Sequence, residues 1–134
     1  MINTAEKQTR TTQRKSFYTM YDKLAIATCL FILGQGITWF SSYSQFVWDW
    51  AREHTLWIAI TTAIPSALCF IYGLRYAYEF FQSGWAPRFY IFALSFAVMP
   101  VLFWYFMGEK FLTPKNMISV TLATAIIFIQ MKMK

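Results

Sequence analysis

The 134-residue sequence holds one histidine, His54, two cysteines, Cys29 and Cys69, and six acidic residues. Each scarcity excludes something. A haem or zinc site built within one chain needs more ligands than a single imidazole and two separated thiols supply, so neither a metal nor a cofactor is expected. Both cysteines lie in apolar runs without C-x-x-C spacing, which argues against a disulfide framework and for small hydrophobes in packed helices. No Ser/His/Asp set, carboxylate pair or phosphate-binding loop can be assembled, and an enzyme is not expected.

Charge is also short. Charged residues make up 13% of the chain and apolar residues 57%, where a soluble domain carries about a quarter charged residues. A mean hydropathy of +0.39 agrees. The net charge of +6 comes without a zinc-finger, helix-turn-helix or RNA-binding signature, and the charges gather at the ends and in short connections. They read as topology signals, with the lipid bilayer and not nucleic acid as the partner. The class these observations imply is an all-α integral membrane protein.

What the sequence does have is four apolar runs behind a polar leader. Residues 1–20, with Lys7, Arg10, Arg14 and Lys15, lack the apolar core of a signal peptide and are expected to form a basic cytoplasmic tail. Residues 21–134 are expected to form a four-helix transmembrane domain, with helices at about 21–41, 56–80, 87–107 and 114–131. Each run is close to the roughly 20 residues that cross a bilayer core. Thr113-Pro114 suits the start of the last helix, and Pro87 that of the third. The connections 81–86 and 108–113 are short enough to hold helices two, three and four as antiparallel neighbours. The longer link 42–55, "SYSQFVWDWAREHT", has the pattern of a short interfacial helix; Trp48, Trp50 and Trp57 suit a headgroup belt.

An even number of spans puts both termini on one side, together with Lys7, Arg10, Arg14, Lys15, Lys23, Arg88, Lys132 and Lys134. Arg52, Lys110 and Lys115 fall on the other. The positive-inside rule makes the first side cytoplasmic, in an inner or plasma membrane.

Polar residues within the runs are the candidate solute contacts. In the first, Thr28, Gln35 and Ser42 repeat every seven residues, with Thr38 close by. In the second, Thr62, Ser66, Cys69, Gly73 and Tyr76 form a stripe at helical spacing. Weakly polar stripes also serve ordinary helix packing, but Gln35 carries an amide that needs partners in mid-membrane. Ala59, Ala63 and Ala67, Ala93 and Ala97, and Ser119 and Ala123 recur four residues apart and are expected at close helix contacts. Pro65 and Pro100 interrupt the second and third runs as kinks or hinges. In "GLRYAYEF", Arg75 and Glu79 stand four apart and are expected to pair, with Arg75 at the cytoplasmic mouth of a solute path.

The closing stretch "FWYFMGEKFLTPKNMISVTLATAIIFIQ" resembles the final hairpin of the drug/metabolite transporter (DMT) superfamily: an apolar helix ending in Gly108-Glu109, a Leu112-Thr113 step and a last helix. Four helices in this length are similar to the small multidrug resistance (EmrE-like) family. The resemblance implies a four-helix transport unit acting as a homodimer or other oligomer and moving a small metabolite, cation or lipid-linked solute. That family uses a glutamate in mid-helix one for proton exchange. The corresponding "ATCLFILGQGI" has no acid, only Gln35, so a facilitator or lipid-type carrier is expected in place of a proton antiporter. The alternative is a non-transporting structural or accessory subunit of a membrane complex.

Overall fold

The computed structural model describes residues 3–132; Lys134, counted above among the cytoplasm-facing charges, lies outside them. The chain is all-helical: α1 (Thr4–Val47), α2 (Asp49–Glu53), α3 (Thr55–Phe81), α4 (Ala86–Met107) and α5 (Pro114–Lys132). Among the described residues, α1, α3 and α4 are long and apolar enough to cross a membrane. α5 has 19 residues and opens on Pro114, followed by the polar pair Lys115-Asn116.

The first helix departs from expectation. The basic leader is not a separate tail: from Thr4 it is the start of α1, which runs for 44 residues. At 1.5 Å rise per residue that is about 66 Å, roughly twice a bilayer core. No proline or glycine interrupts the chain before Gly34. Glu6 sits in the first turn, where a negative charge favours the helix dipole, and pairs with Arg10 at 2.8 Å. Thr9, Thr11 and Thr12 each return their hydroxyls to the carbonyl four residues back, at 2.9 Å.

The expected interfacial helix is also shorter than its sequence pattern. α1 continues to Val47, Trp48 adopts an extended conformation, and only Asp49–Glu53 forms α2. His54 breaks the chain before α3, its Nδ1 lying 2.8 Å from the Trp50 carbonyl. α3 ends on Gln82 in the left-handed region, φ 52°, tied down by its amide donating to the Glu79 carbonyl at 2.6 Å. α4 opens with Pro87 in its first turn and closes on Gly108 at φ 67°, where a side chain would be strained.

α1 is the central element. It packs along α3 and more lightly against α4; α3 and α4 meet sparsely, and among the described residues α5 touches α4 alone. The core lies where α1 crosses α3, around the fully buried Ala27, Phe31 and Ala77, with Phe70, Tyr90 and Leu94 packed against it. Two glycines set the closeness of this crossing. A Cβ on Gly73 would fall 2.6 Å from the Phe31 ring, and one on Gly34 would fall 3.1 Å from the Phe70 ring. Each helix thus seats an aromatic ring on the bare backbone of the other. The close-contact stripe of α3 is therefore Cys69, Gly73 and Ala77, all buried. Ala59, Ala63 and Ala67, the expected stripe, are exposed; Ala97 and Ser119 are exposed too, while Ala123 is buried. Four-residue spacing alone did not say which of two small-residue faces of the helix meets α1.

At the far end an aromatic cluster closes the bundle. Trp39 stacks on Phe106 at 4.9 Å between centroids, and Tyr43 meets Phe103 edge-on at 4.7 Å.

Candidate functional site

The polar groups of α1 face two neighbours in succession. Thr28 donates its proton to the Leu24 carbonyl at 2.7 Å, so the 2.6 Å contact with Tyr90 of α4 is a hydrogen bond given by the tyrosine. One heptad further, the buried Gln35 donates its side-chain amide to Ser95 Oγ of α4, and the serine hydroxyl passes on to the Ile91 carbonyl at 3.0 Å. Thr38 turns to α3 and meets Ser66 Oγ at 2.9 Å. Every member of these rungs finds a partner, as the apolar surroundings demand.

Because α3 and α4 meet so little, a cleft of about 530 Å³ opens between them with α1 as its floor. A second cleft, of about 540 Å³, lies on the other side of α4, between it, the 108–113 connection and α5. The α3-side cleft has Gln35 and Thr38 at its base, Phe70, Ile71 and Leu74 on one wall, and Ile91, Phe92 and Ser95 on the other, with Arg88 at the end near the 82–85 connection. The α5-side cleft lies toward the 108–113 connection and is lined by Pro100 and Phe103 of α4, Glu109 and Lys110 of the connection, and Asn116 of α5. Phe92 and Ser95 line both. The two clefts therefore flank one turn of α4, and the Gln35–Ser95 bond lies at their common wall. Both volumes are in the range of small-molecule sites.

The sequence-derived candidates fare unequally. Gln35 lies in the α3-side cleft. Ser66 is one hydrogen bond away from it through Thr38. Thr28 sits on the same α1 face but is engaged with Tyr90. Thr62 returns its hydroxyl to the Ile58 carbonyl at 2.6 Å, and among the described residues no other helix receives it. Pro65 is exposed on α3, away from both clefts, whereas Pro100 lines the second. Ser42 is exposed.

The expected pairing of Arg75 with Glu79 is not formed. Glu79 instead accepts from Lys23 of α1 at 2.7 Å, and the exposed Arg75 has no ion-pair partner among the described residues. The reason is geometric: Lys23 comes from the helix that α3 packs against, and its short reach across the crossing outcompetes a neighbour on the same helix. The arginine at the mouth of a cleft is Arg88, which sequence reasoning treated as a topology charge only. Its signal was present. Arg88, Ile91, Phe92 and Ser95 follow the i, i+3, i+4, i+7 spacing of one helical face, and that face carries the partner of Gln35.

Among the residues lining the α3-side cleft there is no carboxylate, and Arg88 is the sole charge. Such a cleft can hold a molecule by apolar contact along its walls, by hydrogen bonds at its base and by one cation at its end. Compared with known proteins, the chain matches no family model, no curated relative and no solved structure.

Proposed function

We propose that the chain is a small DMT-like membrane transport protein, with α1, α3, α4 and α5 all crossing the bilayer and both termini in the cytoplasm. It works as a homodimer or other oligomer in an inner or plasma membrane. The observation that carries this reading is the pair of clefts on α4 that share Phe92 and Ser95. A solute path needs access from both ends and a barrier between, and the Gln35–Ser95 hydrogen bond supplies the barrier. No carboxylate lines the α3-side cleft, and Glu109 of the α5-side cleft lies in a connection and not in mid-helix, so the path lacks a proton-coupling acid of the mid-helix kind and serves facilitated movement. Flux into proteoliposomes tests this. Gln35→Leu removes the barrier's donor, and the flux of a carried solute is expected to change several-fold while insertion stays intact. Flux indifferent to Gln35→Leu and to Ser95→Ala rejects the path.

A second reading, an accessory subunit of a membrane assembly, is favoured by the placement of α5. Among the described residues it touches α4 alone, and Ile118, Leu122 and Phe128 are left exposed, a surface suited to another chain. Native mass in mild detergent separates the two: a discrete homo-oligomer supports transport, and recovery only with other chains supports the accessory role.

A further inference from the structure

Arg88 is the one feature of the α3-side cleft that neither bundle packing nor the solute path requires. It lies two residues inside α4, exposed, and among the described residues neither a carboxylate nor a hydrogen-bond acceptor engages it. The rest of the cleft beyond its polar base is apolar: Phe70, Ile71 and Leu74 face Ile91 and Phe92. Ile71 is 63% exposed and Phe92 45%, so the walls open sideways, toward the apolar phase that surrounds these helices. A cation at the end of a laterally open apolar slot matches a molecule with an anionic head and a hydrocarbon body. A free polar anion could use Arg88 but would gain nothing from the walls; a cationic solute would meet an arginine and no counter-charge.

We infer that the cleft between α3 and α4 binds an anionic lipid of the adjoining leaflet, its head on Arg88 and a chain along Ile71, Leu74 and Phe92. The inference rests on the transport reading for its biological use and names the class of molecule that reading left open. A guanidinium engages a phosphate through paired, charge-assisted hydrogen bonds, whereas a zwitterionic head brings its own cation to the same place. Arg75 serves as the internal control, being an exposed arginine near the same end of α3 that lines no part of the cleft.

The test uses the full chain in phosphatidylcholine nanodiscs holding a minor fraction of phosphatidic acid whose acyl chain carries a diazirine. Labelled sites are mapped by mass spectrometry. Labelling of Ile71, Leu74 and Phe92 is expected to be about tenfold stronger from phosphatidic acid than from phosphatidylcholine with the same chain. Arg88→Gln should erase the preference, Arg75→Gln should keep it, and excess inorganic phosphate should not displace the label. Arg88→Lys keeps the positive charge that orients α4 and should retain part of the preference, which separates loss of binding from misinsertion. Equal labelling from the two lipids, a preference that survives Arg88→Gln, or displacement by inorganic phosphate overturns the inference, the last by assigning Arg88 to a free anion. Flux that ignores Gln35→Leu beside an intact labelling preference removes transport and leaves the lipid site standing. Flux that responds to Gln35→Leu without a preference does the reverse.

Discussion

The Lys23 ammonium lies 2.7 Å from the Glu79 carboxylate and joins α1 to the end of α3. Both side chains are more than a third exposed, 38% and 39%, so solvent and salt weaken the attraction. A double-mutant cycle in detergent at low ionic strength is expected to show that Lys23→Met and Glu79→Gln each lower the unfolding midpoint. Together they should lower it by less than their sum, and the coupling should fade as salt is added. An additive pair, with Arg75→Gln coupled to Glu79→Gln instead, would restore the pairing along α3 that the sequence suggests.

Gly73 is the position where α3 tolerates least. A methyl group there meets Phe31 Cε1 at 2.6 Å, and Phe31 is fully buried, so neither ring nor helix can yield cheaply. Gly73→Ala is expected to cost about 1–3 kcal/mol of stability, the range for overpacking a filled core. Adding Phe31→Leu should recover part of the loss by making room. Gly34→Ala should cost less, because the nearest approach, 3.1 Å to the Phe70 ring, is milder. Thermal unfolding in detergent of the four variants checks the order, and Gly36→Ala, with open space around it, is the neutral reference.

The sequence made the helices legible because hydropathy and turn residues act locally. The starts at Pro87 and Pro114, and the close of α4 on Gly108, follow from backbone chemistry that needs no partner. The length of α1 was hidden for the same reason. Its polar leader has helix-compatible residues throughout, but nothing in composition separates an exposed helix from an exposed coil. Tertiary pairing was the harder part. Gln35 announced itself, since an amide in an apolar run must find a partner. Ser95 did not, since a serine in a helix satisfies itself on the preceding turn, as Ser95 does on Ile91. Arg88 and Arg75 look alike as charges near helix ends, and only the sparse meeting of α3 with α4 tells which borders a cleft.

The Gln35–Ser95 bond can be weighed by stability as well as by flux. Interhelical hydrogen bonds in membrane bundles average about 0.6 kcal/mol in double-mutant cycles. Ser95→Ala leaves the Gln35 amide buried without its acceptor and is expected to destabilise by about 1–3 kcal/mol, the cost of an unmet buried group. Gln35→Leu fills similar volume without that debt and should cost less. The double variant should resemble Gln35→Leu alone. Unfolding by denaturant in mixed micelles, read by tryptophan fluorescence, gives the order. If Ser95→Ala is silent, the amide has found another acceptor and the bond is no barrier.

Trp39 presents the opposite case, a buried donor with nothing to donate to. It is 2% exposed, and its indole Nε1 has no hydrogen-bond partner among the described residues. Its ring is fully used, stacked on Phe106 at 4.9 Å and edge-on to Phe103 at 6.2 Å. Trp39→Phe keeps an aromatic face for both neighbours and removes the unmet N–H, so lost volume and relieved polarity oppose each other. The expected net change is within about 1.5 kcal/mol, as for shape-conserving core swaps. Trp39→Ala removes the ring and should cost about 3–5 kcal/mol. Unfolding followed by circular dichroism compares the two without relying on the fluorophore being changed. A Trp39→Phe loss as large as that of Trp39→Ala would mean that the N–H is engaged in the folded protein, and would move attention to the Trp39 end of the bundle as a binding surface.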